Sequence, residues 1–229
     1  MFFKLIEKRD CQVDFQGMKD SIPQYLEALK VTVSLGGIGI VLSFVLGFLI
    51  ALIGYFSIPI LKLILQGYIE LSRNTPLLIQ LFFLYYGLPK LGLPLGKNTA
   101  AIIGLTFLGA AYMAESFRGS FESVPKVQIE SGRSIGFNNW QLAQAVILPQ
   151  GLKVAIPGLG ANAIFLMKET SVFSAISIMD LTNVTKDLIG MYYLTKEFLL
   201  MLVLSYSVII LPMVLVIYLL ERRQHHVGL

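Results

Sequence analysis

Apolar positions in this chain fall into long continuous runs. They show neither the one-sided stripe of a soluble helix nor the strict alternation of a half-buried strand. Residues 26–55 form the longest run, with charge only at Glu27 and Lys30. A helix needs about 20 apolar residues to cross a bilayer, so this run predicts a span. Runs of the same character predict further spans at 99–117, 148–173 and 198–220. Residues 59–91 follow another pattern. An amphipathic piece, 61–71, leads into Arg73-Asn74-Thr75-Pro76, and a strongly apolar piece, 77–88, follows. Pro76 has no amide donor and kinks or restarts a helix. The stretch is therefore either one broken span or an interfacial helix followed by a shorter span. Pro89, Gly92, Pro94 and Gly96 mark the loop beyond it.

The pattern predicts an all-α integral membrane bundle of about five spans, 26–55, 59–91, 99–117, 148–173 and 198–220, within one membrane domain, 26–222. Residues 1–25 are polar and end near Pro23, as an interfacial helix or an irregular arm. A polar connection covers 118–147, a mixed segment with Asp180, Lys186 and Asp187 covers 174–196, and 223–229 is a tail. Within the first span Gly39, Ser43, Gly47 and Ala51 recur every fourth residue. Such a stripe lets another helix approach closely, and packing is its expected role. In this apolar setting Gly36-Gly37-Ile38-Gly39 is not a nucleotide loop.

Composition agrees with the pattern. Of 229 residues, 55% are hydrophobic and only 14% charged, against about 25% charged in a soluble domain. The formal charge of +4 is thinly spread, which suits anionic headgroups and gives no basic stripe for nucleic acid. Cys11 is the only cysteine, so no internal disulfide forms. Met1-Phe2-Phe3-Lys4 runs into Glu7-Lys8-Arg9-Asp10 without the apolar core of a cleavable signal, leaving targeting to the first span. Five spans put the termini on opposite sides. Arg118, Lys126, Arg133, Lys153, Arg222 and Arg223 favour a cytoplasmic 118–147 loop and C-terminus, whereas Lys4, Lys8, Arg9 and Lys19 would then lie outside.

Ionisable groups inside a membrane cost a few kcal/mol and face a partner, a cavity or a substrate. Glu115 and Arg118 stand three apart and can pair, or anchor a helix end. Leu108, Tyr112 and Glu115 share a face, so Tyr112 reaches the bundle interior if that face turns inward, with core packing as the competing role. Asn162 can bond either a substrate or a neighbouring helix. Lys168 and Glu169 diverge by about 100° on a helix and so meet different surroundings. His225 and His226 lie in the tail and make a poor metal site. The chain has no G-x-x-x-x-G-K-[ST] loop and no H-E-x-x-H, which removes nucleotide binding and His-assisted catalysis from the expected functions.

The run Glu130-Ser131-Gly132-Arg133-Ser134-Ile135-Gly136-Phe137, followed by Val146-Ile147-Leu148-Pro149, resembles the EAA loop of ABC-importer permeases. That loop reads E-A-A, three residues, G, nine residues, I-x-L-P. Ser131, Gly132 and Val146 depart from it, and Gly132 should weaken its helix by about 1 kcal/mol relative to alanine. Other segments follow in family order. Glu70-x-x-Arg73-x-Thr75-Pro76-Leu77-Leu78-x-Gln80, Ala111-Tyr112-x-Ala114-Glu115-x-x-Arg118, Lys168-Glu169-Thr170-Ser171, Asp180-Leu181 and Leu220-Glu221-Arg222-Arg223 resemble stretches of polar amino-acid ABC-importer permeases. The likeness covers nearly the whole chain and implies the type I (MetI-like) permease bundle.

The resemblance further implies a permease pair, identical or mixed, joined by two ABC ATPase subunits and an extracytoplasmic binding protein. ATP and Mg would sit on the ATPase, with no cofactor in this chain. The chain would be multi-pass in the bacterial inner membrane, N-terminus outside and C-terminus cytoplasmic. Residues Glu130, Ser131, Gly132, Ser134, Gly136 and Phe137 would form the coupling loop. Tyr112, Glu115, Asn162, Lys168, Glu169, Thr170, Ser171 and Asp180 would line or frame the substrate path. Glu70, Arg73, Thr75, Pro76, Gln80, Arg118 and Pro149 would be structural. Some relatives place an acidic residue where this chain has Asn162, which argues against a dibasic cargo. A permease for another small solute, and a channel or enzyme that needs no ATPase, are the alternatives.

Overall fold

The computed structural model describes residues 14–56 and 59–225, with side chains to Arg223. Cys11, Lys4, Lys8, Arg9, His226 and the side chain of His225, as readings of sequence, fall outside what it describes. Among the described residues the regular structure is all helical, with short connections and no strand. Four segments are long and apolar enough to cross a membrane, Phe15–Phe56, Lys97–Glu122, Asn139–Ile176 and Thr195–Arg223, with a shorter apolar stretch at Leu77–Leu91.

The first helix, α1 (Phe15–Phe56), has 42 residues. At 1.5 Å per residue it is about 60 Å long, twice a bilayer core. The structure differs from a separate arm ending near Pro23 in one respect: residues 15–25 are continuous with the helix of the first span. The helix starts at Asp14, whose Oδ1 accepts from the amides of Gln16 and Gly17, both at 3.0 Å. Pro23 removes one helical hydrogen bond, and tertiary contacts hold the turn across it. The Tyr25 hydroxyl donates to the Phe198 carbonyl at 2.9 Å and meets Thr185 Oγ1 at 2.8 Å.

The 59–91 stretch is broken. Helix α2 (Pro59–Arg73) stops before Pro76, and α3 (Leu77–Phe82) restarts and continues through a π turn and a 3-10 turn to Leu91. Side chains bond the backbone carbonyls around the break. Asn74 Nδ2 donates to Glu70 O at 2.8 Å, Thr75 Oγ1 to Leu71 O at 2.7 Å, and Gln80 Nε2 to Ser72 O at 3.1 Å and Thr75 O at 3.0 Å. Both halves run antiparallel along α4 (Lys97–Glu122). Tyr68 OH and Ser72 Oγ of α2 donate to Phe107 O, whereas Leu77, Leu81 and Leu84 crowd Gly104. The two halves therefore lie end to end along α4, with a fixed discontinuity between Arg73 and Leu77.

Helix α4 is the pillar of the bundle, with Ala100, Leu105, Ala111, Ala114 and Phe117 buried along it. The small-residue stripe of α1 lies against it, and Gly39, Ser43, Gly47 and Ala51 are all buried. After α4 come α5 (Lys126–Ser134), α6 (Asn139–Leu142) and α7 (Leu148–Glu169), which ends in a 3-10 turn, Thr170–Ile176. Helix α8 (Leu181–Tyr192) and α9 (Thr195–His225) complete the described chain. One end of the bundle gathers the C-terminal ends of α1 and α4, where Tyr55 packs edge-on to Phe121, together with α5 and α6. The other end holds α8, where Lys97 Nζ reaches Ser177 O at 3.0 Å.

Candidate functional site

Helices α1, α2 and α4 enclose a cavity of about 780 Å³ in the half of the bundle nearer α5. Its α2 wall carries Lys62, Gln66, Glu70 and Arg73, spaced four, four and three residues apart and so aligned on one helical face. The α4 wall carries Tyr112, Glu115, Arg118 and Glu122 at the same kind of spacing, and α1 adds Ile50, Gly54 and Tyr55. Three cations thus face three carboxylates around a formally neutral space. Arg118 bonds both oxygens of Glu115, one through Nε at 3.2 Å, and reaches Glu122 Oε2 through Nη1 at 2.6 Å. These side chains stay part-exposed, so the pairs contribute little to stability. Their effect is to hold carboxylates in place on the cavity wall. The Arg73 guanidinium lies 5.0 Å from the centre of the Tyr112 ring, which packs in turn on Phe165.

The expected path residues divide. Tyr112 and Glu115 line the cavity, together with Glu70, Arg73 and Arg118, which the sequence suggested as structural. Asn162 does not line it. Its Nδ2 donates to Tyr112 O at 3.0 Å and Ser116 Oγ at 2.9 Å, so it tethers α7 to α4, the neighbouring-helix alternative. Thr170 is fully buried, gives its hydroxyl to Met167 O and packs under Gly36. Lys168 is exposed, and Glu169 and Ser171 are half-buried near the opposite end of α7. Asp180 needs the clearest correction. Instead of lining a path it is buried and caps α8, accepting from Thr182 N at 3.3 Å and Asn183 N at 3.0 Å. Burial pushes its carboxyl up to about 6, against those amide bonds. Among the described residues no three metal-ligating side chains converge.

The EAA-like stretch forms a rigid knob at the end of the bundle. Gly136 sits at φ +89°, a left-handed conformation that side chains adopt at a cost. Gly136 N bonds Arg133 O and Phe137 N bonds Gly132 O, both at 3.0 Å, the double bond pattern that closes a helix with a glycine. Asn138 and Gln141 cap the next helix reciprocally. Gly132, which departs from the family alanine, is buried, and a Cβ there would stand 2.5 Å from Leu142. The glycine thus lets Leu142 fold onto α5. Glu130, Ser131 and Ser134 are exposed and Phe137 is half-buried. Pro149 starts α7, and Gln150 joins it to α5 through Gln128 at 2.6 Å.

Sequence reading missed three apolar side chains on this knob. Val127, Ile135 and Trp140 are 70%, 72% and 57% exposed. The lone Trp140 in a polar stretch was the available signal. Lys62 and Glu122 of the cavity were missed as well, although their spacing from Glu70 and Arg118 was legible.

With this geometry in place, comparison with known proteins gives consistent results. Residues 39–226 match the family described as binding-protein-dependent transport system inner membrane component. The chain is 37% identical over 172 residues to a probable amino-acid permease protein of Bacillus subtilis, YxeN, covering 74% of this chain and 77% of that one. It is 30% identical over 214 residues to the glutamine transport system permease protein GlnP of Escherichia coli, covering 93% and 98%. Among solved structures, an amino acid ABC transporter crystallised with histidines has a chain that superposes with a TM-score of 0.86. The two are 32% identical, covering 93% of this chain and 99% of that one.

Proposed function

We propose a working arrangement for this chain, which belongs to the family of inner membrane components of binding-protein-dependent transport systems. It is a membrane-spanning permease subunit of an ABC importer for amino acids. An importer of this kind works with an ATPase and a substrate-binding protein, and the permease itself is a transporter subunit, not an enzyme. The cargo is a polar amino acid that passes the neutral, charge-lined cavity between α1, α2 and α4. The knob from α5 to Pro149 seats in a cleft of a separate ATPase, which holds the ATP and Mg. A second permease, identical or different, completes the path. The C-terminus and knob lie in the cytoplasm of a bacterial cell, and the N-terminus outside its inner membrane.

The observation that carries this reading is the knob itself. It is stiffened by a glycine closure, a capping box and the Gln128–Gln150 bond, yet it leaves Val127, Ile135 and Trp140 bare. A rigid loop that exposes apolar side chains suits a protein partner better than water. ATP closes the ATPase pair, and a stiff contact turns that motion into rigid-body movement of the bundle. The drive is the difference in ATP affinity between the two states.

The test is co-purification of the ATPase with wild-type chain and with Trp140→Glu. A charge in an interface core should reduce the recovered ATPase at least about tenfold, the effect of about 1.4 kcal/mol. Equal recovery would remove the knob from the contact.

A further inference from the structure

The cavity contains an arginine that makes no direct ion pair among the described residues, although its charge acts on Glu115. Arg118 is taken up by Glu115 and Glu122, whereas Arg73 makes no ion pair among the described residues. Its guanidinium lies over the Tyr112 ring, with Glu115 near enough to feel its charge. An arginine that faces a cavity of a membrane bundle without a direct carboxylate partner serves a pathway or a ligand. Contact with a ring face also uses none of the planar N–H fork that binds a carboxylate through two bonds.

Its position is fixed. Arg73 is the last residue of α2, and the backbone on either side of it is pinned by Asn74, Thr75 and Gln80. The α-carbon is therefore held while the side chain reaches into the cavity. On the α4 wall, one arginine stands among two carboxylates, which leaves an excess of negative charge at Glu115 and Glu122. The two regions have opposite sign, the arrangement that a zwitterion requires.

We propose that Arg73 is a specificity-determining residue that takes the α-carboxylate of the transported amino acid, with the Glu115–Arg118–Glu122 group attracting its ammonium. This rests on the reading of the chain as an amino-acid permease. The guanidinium stays over Tyr112 in the empty cavity and offers its fork when cargo arrives. Selection for a free α-carboxylate is then built into the membrane subunit, separately from any selection by a binding protein.

The experiment uses the permease–ATPase complex in lipid nanodiscs, without binding protein. Uptake by the complete wild-type system in proteoliposomes first identifies, among the twenty labelled amino acids, the one carried fastest. Equilibrium binding of that amino acid and of its α-carboxamide is then measured for wild type, Arg73→Gln and Arg73→Lys. Wild type should prefer the carboxylate, and Arg73→Gln should weaken amino-acid binding by about 10- to 100-fold while leaving carboxamide binding within about twofold. Arg73→Lys, which keeps charge but not the fork, should lie between them. A preference unchanged in both variants would overturn the assignment alone. A wild-type system that carries no amino acid would overturn the functional reading and this inference with it.

Discussion

Replacing Gly47 by alanine tests whether the α1–α4 contact holds the bundle together. A Cβ on Gly47 would stand 2.5 Å from Met113 Cβ, 2.9 Å from Ala110 O and 2.9 Å from Ala114 N. Two of those atoms belong to the backbone of the central helix and cannot swing aside. Relief requires α1 and α4 to separate by about 0.5–1 Å over the tightest part of the stripe. Overpacking of this kind costs about 1–3 kcal/mol, against a gain of about 1 kcal/mol from replacing glycine within a helix. The lower end of the first range cancels, but backbone crowding from three atoms places this site at the upper end, so the net is a loss of about 2 kcal/mol.

Gly37, ten residues away on the same helix, supplies the control. A Cβ there meets nothing within 4 Å, so Gly37→Ala should be neutral or stabilising by up to about 1 kcal/mol. The assay is thermal unfolding of the detergent-solubilised chain, followed by fluorescence-detected size exclusion. The two variants should move the midpoint in opposite directions. If Gly47→Ala matches or exceeds wild type, close approach of α1 and α4 is not what stabilises the bundle.

Two further outcomes are expected. Asp180 has a folded pKa raised to about 6 from 3.8, so the folded state holds the proton where the unfolded chain has lost it. Stability should therefore fall as pH rises from about 4 to about 6 and level off above, by at most about 3 kcal/mol. Asp180→Asn keeps the cap and should flatten the midpoint over that range; an unchanged pH slope in the variant would contradict the assignment. Asn162→Leu loses two bonds to α4 and should lower the midpoint, by about 0.5–2 kcal/mol for interhelical bonds in a membrane. Its uptake KM should shift by less than about threefold, because its role is tethering; a large KM shift with an unchanged midpoint would return Asn162 to the pocket.

The spans were legible because a bilayer imposes one demand on every helix, about 20 apolar residues, and the runs meet it. Pro76 gave the break between α2 and α3 from its missing amide donor alone. Pro23 misled, since a single proline costs one hydrogen bond and Tyr25 is anchored to α8 and α9 by contacts more than 150 residues away in sequence. Motif order located Glu70, Arg73, Tyr112, Glu115 and Arg118, but their convergence depends on the pairing of α2 with α4, which no local pattern encodes. Asn162 and Asp180 look alike in sequence as polar groups among apolar ones. Only the structure separates a tether and a helix cap from a cavity wall. Gly132 looked like a weakness in α5 until Leu142 was seen to occupy the space of its missing side chain.

The account as a whole turns on whether this chain converts ATP use by another subunit into amino-acid movement through its own bundle. The direct measurement is uptake of labelled amino acids by proteoliposomes that hold the purified permease–ATPase complex and its binding protein, for wild type and Glu130→Lys. Wild type should accumulate a polar amino acid only with ATP and binding protein present. Glu130→Lys, altered on the exposed face of the knob, should abolish accumulation while leaving the thermal midpoint of the chain unchanged. Accumulation without ATP, or at wild-type rate in Glu130→Lys, would contradict it.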